Sequence, residues 1–188
     1  IKPIIGCEVY VAPRGRTRFQ KVHEFDSHYN HLVLLCRNEE GYRNLSYMVS
    51  KGYLEGFYIK PRIDLDLLRE HTGGLIACSA CMSGEISRLL LAGDYDQAEA
   101  VALEMRGLFG EDGYYLELQD HGIKAQKQIN AQIIRLSEET GIPLIATNDA
   151  HYLRREDAET QDILMCVQTG KTLDDPSRMR FETREFFV

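Results

Sequence analysis

The sequence has no apolar run near the roughly 18–20 residues that a membrane span requires, and no secretory signal stands before its first strand-like segment. A membrane partner is therefore excluded from the expectation, and a cytoplasmic setting is expected. Positive charge is in deficit: 22 Lys and Arg face 29 Asp and Glu, a formal net charge of −7. That balance excludes a general nucleic-acid clamp working through bulk charge. Cysteine is neither abundant nor paired. Cys7, Cys36, Cys78, Cys81 and Cys166 are odd in number and mostly embedded in apolar runs, which excludes a disulfide framework and fits a reducing compartment. Internal repeats and low-complexity segments are missing, and β-hairpin signals are scarce.

What is present is an ordinary globular balance. Of 188 residues, 44% are hydrophobic and 27% charged, enough for one sizeable domain with a real core. Strand-like runs are expected at Lys2 to Val11, His31 to Cys36, Leu75 to Ser79, Tyr114 to Leu118 and from Pro143 onward. Between them the apolar spacing becomes helical: Glu39 to Leu54, Asp64 to His71, Ser83 to Leu91 with Ser83 as N-cap, a helix opened by Asp94, and Ile123 to Thr140 stopped by Gly141. A last helix, Glu156 to Thr169, is expected to turn Ile163, Leu164 and Val167 inward. Strands alternating with helices predict an α/β fold with a mainly parallel sheet or barrel.

In such folds polar groups gather where strands run into helices. Pro143 to His151 is the clearest case: an apolar run ends in Thr147-Asn148-Asp149-Ala150-His151. On an extended backbone Asp149 and His151 would point the same way. A carboxylate and an imidazole aimed at one spot suit a zinc- or manganese-like ion; an Asp capping the next helix beside a packed His is the structural alternative. Other strands add Glu8, Cys81, Glu117 and His121 to the same rim. Such groups repel or desolvate one another unless a cation neutralises them. In the pair C-S-A-C, Cys78 reads as core and Cys81 as the ligand. His31 opens its strand, which in a strictly parallel sheet is the wrong rim. Arg14, Arg16 and Arg18 form a basic loop that reads either as a contact to a DNA backbone or as a solvated loop.

Taken together, IKPIIGCEVYVAP, NHLVLL, IACSACMSGEI, YYLELQDHG and IPLIATNDAHYL closely resemble the amino-terminal PHP (polymerase and histidinol phosphatase) domain of bacterial replicative DNA polymerase III alpha subunits. The likeness extends to the closing RMRFETREFFV. It implies a distorted (β/α)7-type barrel whose rim binds up to three zinc or manganese ions. It places Glu8, His31, Cys81, Asp149 and His151 at metal-ligand positions, Asp149 and His151 also being catalytic. Glu117 and His121 remain rim neighbours. Family members open with an H-x-H strand, a following Asp and a T-D-H segment that this chain does not contain. Residues 1–188 are therefore expected to be the C-terminal two-thirds of the domain, an incomplete barrel with polymerase domains to follow. Ile1 in place of Met and the apolar finish Phe186-Phe187-Val188 agree with that expectation.

The resemblance implies a metal-dependent 3′–5′ exonuclease or phosphoesterase module within a DNA-directed DNA polymerase, a nucleotidyltransferase whose own palm chemistry uses magnesium. The piece alone is expected to be inactive. The implied partners are DNA and other replicase subunits, including a proofreading exonuclease and a sliding clamp. Two alternatives stand beside it: a catalytically silent module that stabilises the polymerase and binds a separate exonuclease, and a stand-alone phosphoesterase.

Overall fold

Capping residues and glycines cut the chain close to the expected places. The computed structural model describes residues 1–13 and 18–188. Its strands are β1 (Gly6–Val11), β2 (Asn30–Cys36), β3 (Arg62–Ile63), β4 (Leu75–Cys78), β5 (Tyr114–Leu118) and β6 (Leu144–Ala146). They form one sheet in the order β3-β1-β2-β4-β5-β6. β1 pairs parallel with β3, β4 with β5 and β5 with β6. β2 is antiparallel to both of its neighbours, β1 and β4. Five strands thus share one direction and β2 alone opposes them. Among the described residues no pairing joins β3 to β6, so the sheet matches part of the expected barrel and does not close into a ring.

The helices are α1 (His23–Asp26), α2 (Glu39–Leu54), α3 (Leu65–Glu70), α4 (Glu85–Leu91), α5 (Tyr95–Phe109), α6 (Lys124–Thr140) and α7 (Ala158–Thr169). Side-chain caps set three starts. Asn38 accepts from the Gly41 amide, Asp64 from Leu67 and Asp94 from Gln97, each satisfying a donor that has no intrahelical partner. Gly141 ends α6 in the left-handed region at φ 72°, a conformation in which a Cβ is strained. The expected inner stripes of α5 and α6 are buried, Ala98, Val101, Ala102 and Met105 on one and Ile129, Ile133 and Leu136 on the other. They pack with Leu34 of β2, Ala77 of β4 and Leu116 of β5 in a single apolar core. Each fully buried aliphatic side chain contributes about 1.5–3 kcal/mol.

Two expectations are corrected. Ser83 does not cap α4. Gly84 is the N-cap residue, while the Ser83 carbonyl accepts from the His31 amide at 3.1 Å. On α7 it is Met165 and Cys166 that turn inward. Ile163, Leu164 and Val167 are 50%, 55% and 75% exposed. The run from 163 to 167 is apolar at every position, so its periodicity carried no preferred face.

At the other end of the sheet Arg62 is fully buried. It donates to the carbonyls of Gly56, Asp26, Arg18 and Gln20, tying the segment around α1 to β3. Its ionic partner is the equally buried Asp26, 3.3 Å away, whose Oδ1 has no hydrogen bond of its own. Removing one member of such a pair strands the other without solvent. We expect Arg62→Met to cost about 3–5 kcal/mol, read as a lowered urea midpoint. A loss below about 1 kcal/mol, the range of exposed pairs, would mean that the pair is solvated.

Candidate metal centre

The reversed strand brings His31 to the carboxyl rim. Because β2 runs against β1 and β4, its first residues adjoin the last residues of its neighbours: His31 pairs with Tyr10 and bridges to Gly84 beyond β4. Glu8 sits two residues before Tyr10 and so shares its face. The Glu8 carboxylate lies 2.6 Å from His31 Nδ1, and Cys81 Sγ is 3.7 Å from the same nitrogen. Burial alone would depress the His31 pKa. The hydrogen bonds and charges of Cys81 and Glu8 outweigh it and push it up to about 9. Glu8 is correspondingly held below the usual carboxylate range, first by its hydrogen bond to His31 and against the effect of burial.

Cys81 reaches this point through a tight turn. Beyond β4, Ala80 takes a left-handed φ of 64°, and the chain doubles back so closely that a Cβ on Gly84 would lie 2.1 Å from the Ser79 carbonyl oxygen. Ser83 donates its amide to Cys81 Sγ at 3.5 Å. Cys78 is core, as expected: it is 3% exposed, and burial pushes its thiol up to about 12.

Asp149 and His151 arrive differently from the sequence expectation. The backbone is not extended at Asp149, which adopts φ 41°. His151 Nδ1 lies 2.6 Å from the Asp149 carbonyl oxygen. A carbonyl can only accept, so Nδ1 carries the proton and Nε2 is left as the acceptor. The ring packs against Phe181 at 4.7 Å and Phe186 at 5.8 Å. Burial raises the Asp149 pKa; the charge of Glu8 adds to that rise, and His151 opposes it. His151 also acts on Glu8. The β1, β2, β4 and β6 contributions therefore feel one another across a single rim.

Glu117 and His121 lie beneath the rim, 4% and 0% exposed. One Glu117 oxygen accepts from the Ala80 amide at 2.8 Å and the other from the Thr147 hydroxyl at 2.5 Å. Burial raises the Glu117 pKa despite those bonds. His121 Nε2 is 2.8 Å from the Asn148 carbonyl, and its Nδ1 is 2.7 Å from Gln126 Nε2. Sequence reasoning missed Ser79, Gln126, Thr147 and Phe186 as supporting groups; the one signal was a Glu inside the otherwise apolar YYLEL.

Arg14 and Arg16 lie outside the described residues. Arg18 does not present its charge to a phosphate backbone. Its guanidinium makes a two-toothed contact with Asp64 at 3.0 and 3.1 Å and a further one with Glu55.

The donors suit a borderline ion: a carboxylate, an imidazole and a thiol meet at one point, with a second carboxylate and imidazole across the rim. They converge on the His31 nitrogen, and correspondingly no group of three or more His, Cys, Asp or Glu side chains among the described residues is arranged to hold a metal ion. Cation binding would therefore require the Glu8 and Cys81 side chains to turn from His31 to the ion.

A family model described as the PHP domain matches residues 1–121. Along its whole length the chain is 47% identical to DNA polymerase III subunit alpha of Treponema pallidum, 46% to that of Borreliella burgdorferi and 45% to that of Thermus aquaticus. It covers 16%, 16% and 15% of those proteins, so it spans about one sixth of the length of the curated relatives it matches.

The turn that carries Cys81 supplies a direct check. Gly84→Ala must push the Ser79 carbonyl away, which should lower stability by about 1–3 kcal/mol and move Cys81 off His31. Thermal unfolding reads the first effect, and the second appears as a lowering of the His31 titration from about 9 in histidine NMR spectra, with Glu8 still holding part of the rise. An unchanged titration would show that Gly84 does not set the thiol's position.

Proposed function

We propose a hydrolytic role for this rim from one premise: the chain belongs to the PHP domain family, and its relatives are DNA polymerase III alpha subunits matched along its whole length. In this reading residues 1–188 are the PHP part of a replicative DNA polymerase, working in the cytoplasm with DNA and other replisome components. The rim is a metal-dependent 3′–5′ exonuclease acting on DNA phosphodiesters. Polymerisation is carried elsewhere in the parent, with its own magnesium. The observation that supports the reading is the meeting of Glu8, His31 and Cys81, from three separate strands, around one nitrogen.

Glu8, His31 and Cys81 would hold one zinc or manganese ion, and Asp149 with His151 would hold another. Bound cations would supply Lewis acidity, drawing charge from the scissile phosphate and activating water near neutral pH. The chain's own residues do the rest. Asp149, kept partly out of solvent, supplies the negative charge that draws a cation to the β6 side. His151, its tautomer set by the Asp149 carbonyl, offers Nε2 as acceptor. Phe181 and Phe186 cover one side of that imidazole. No helix among the described residues is long and apolar enough to cross a membrane.

The decisive experiment uses the full-length protein. Cation-dependent removal of 3′-terminal nucleotides should fall at least about 100-fold in Asp149→Ala, since Lewis-acid assistance amounts to several kcal/mol. Bound zinc or manganese, measured by elemental analysis, should fall with it, while primer extension serves as the control for folding. Exonuclease activity retained in that variant would refute the assignment and leave the rim as a scaffold that docks a separate exonuclease.

A further inference from the structure

We propose that the end of β5, which contributes no ligand, sets the geometry of the centre. Glu117 and His121 are positioning residues, each fastening a ligand-bearing loop on one or both sides of the strand. The inference rests on the metal-centre reading above and goes beyond it by assigning roles to two buried groups outside the donor set.

Topology makes this strand the natural anchor. β5 lies between β4 and β6, so its carboxyl end stands between the loop that carries Cys81 and the loop that carries Asp149 and His151. Backbone bonds run to both sides: Ser79 donates to the Tyr115 carbonyl and Thr147 to the Leu118 carbonyl. Glu117 then spans the gap with one carboxylate, taking the Ala80 amide on one oxygen and the Thr147 hydroxyl on the other. Its own amide donates to Ser79 Oγ. His121 completes the second attachment. Its Nε2–H donates to the Asn148 carbonyl, which fixes Nδ1 as the acceptor for Gln126, and its ring stacks on Phe186 at 3.9 Å.

The placement of the strained residues singles out these two groups. Ala80 and Asp149 both hold left-handed backbone, at φ 64° and 41°. One immediately precedes the ligand Cys81, and the other is itself a ligand. Strain of this kind persists only where the surroundings over-determine it. Glu117 grips the Ala80 amide, and His121 grips the carbonyl that enters Asp149. Outer partners of this sort fix ligand orientation, and their loss typically weakens metal binding by about 10–100-fold.

Hydrogen exchange and zinc affinity in the full-length protein decide the matter. In metal-free protein, Glu117→Ala should speed amide exchange in both segments, 78–84 and 146–151. His121→Phe keeps the stack on Phe186 and should speed the second segment alone. Zinc affinity, measured by chelator competition, should fall about 10–100-fold in Glu117→Ala and less in Glu117→Gln, which keeps one acceptor. Exchange at both segments matching wild type, or rising equally in β2, would overturn the proposal. If Glu117→Ala fails to fold, Thr147→Val removes a single hydroxyl and should speed exchange in 146–151; wild-type exchange there would count against the bridge. A wild-type protein that takes up no zinc or manganese would sink the metal-centre reading, while the exchange measurements would still decide whether Glu117 and His121 hold the loops.

Discussion

One reversed strand carries the arrangement of the rim. Were β2 parallel to its neighbours, His31 would open at the amino edge of the sheet, a full strand length from Cys81. A seven-residue strand at about 3.3 Å per residue would separate them by roughly 20 Å. Antiparallel pairing with both β1 and β4 brings that distance down to hydrogen-bond range. Between β1 and β2 the described residues hold the four-residue α1, and Arg62 with Asp64 fastens the segment around it to β3.

The same rim collects charge that the fold must neutralise. Burial raises the cost of ionising Asp149, and the charge of Glu8 adds to it. His31 is drawn towards Glu8 and Cys81 in answer. Beneath them the magnitudes favour the buried acceptor over the strain that it holds. A left-handed non-glycine residue costs roughly 1–2 kcal/mol, whereas a hydrogen bond to a charged group contributes about 1.5–3 kcal/mol. The Glu117 bond to the Ala80 amide is therefore sufficient to keep that turn in place once Glu117 is ionised, even though burial disfavours the ionised form.

Much of this was legible in the residues. Regular amphipathic spacing and good end signals located α2 at Glu39–Leu54 and α6 at Lys124–Thr140 within a residue, and YYLEL marked β5. The polar run after Pro143 and the CMSGE turn pointed to the rim because strand ends are where buried backbone gives way to side-chain chemistry. Strand direction was not legible, since hydrophobic alternation reads the same both ways. The inward face of α7 escaped for a related reason: five consecutive apolar residues define no stripe. The ion pairs of Arg18 were not legible because its partners, Glu55 and Asp64, are distant in sequence. The left-handed Asp149 lay beyond reach as well, because Asp tolerates that conformation without announcing it.

The loop bearing Asp149 and His151 is also covered from outside, by a segment far along the chain. Residues 185–188 return to the rim after α7: the His151 and Tyr152 amides donate to the Phe186 carbonyl, and Val188 donates to the Tyr152 carbonyl. The Asn148 side chain donates to the carbonyls of Glu185 and Phe187. Ion pairs run alongside, Arg155 with Glu185 and Arg184 with Glu159, but their guanidinium groups are more than half exposed, and exposed pairs contribute about 0–1 kcal/mol. Phe186, 6% exposed and seated on His121, contributes about 1.5–3 kcal/mol by burial alone. The strap is held by its backbone bonds and one aromatic ring rather than by charge. Because that ring rests on the imidazole that grips Asn148, the inner and outer supports of the ligand loop meet in a single contact.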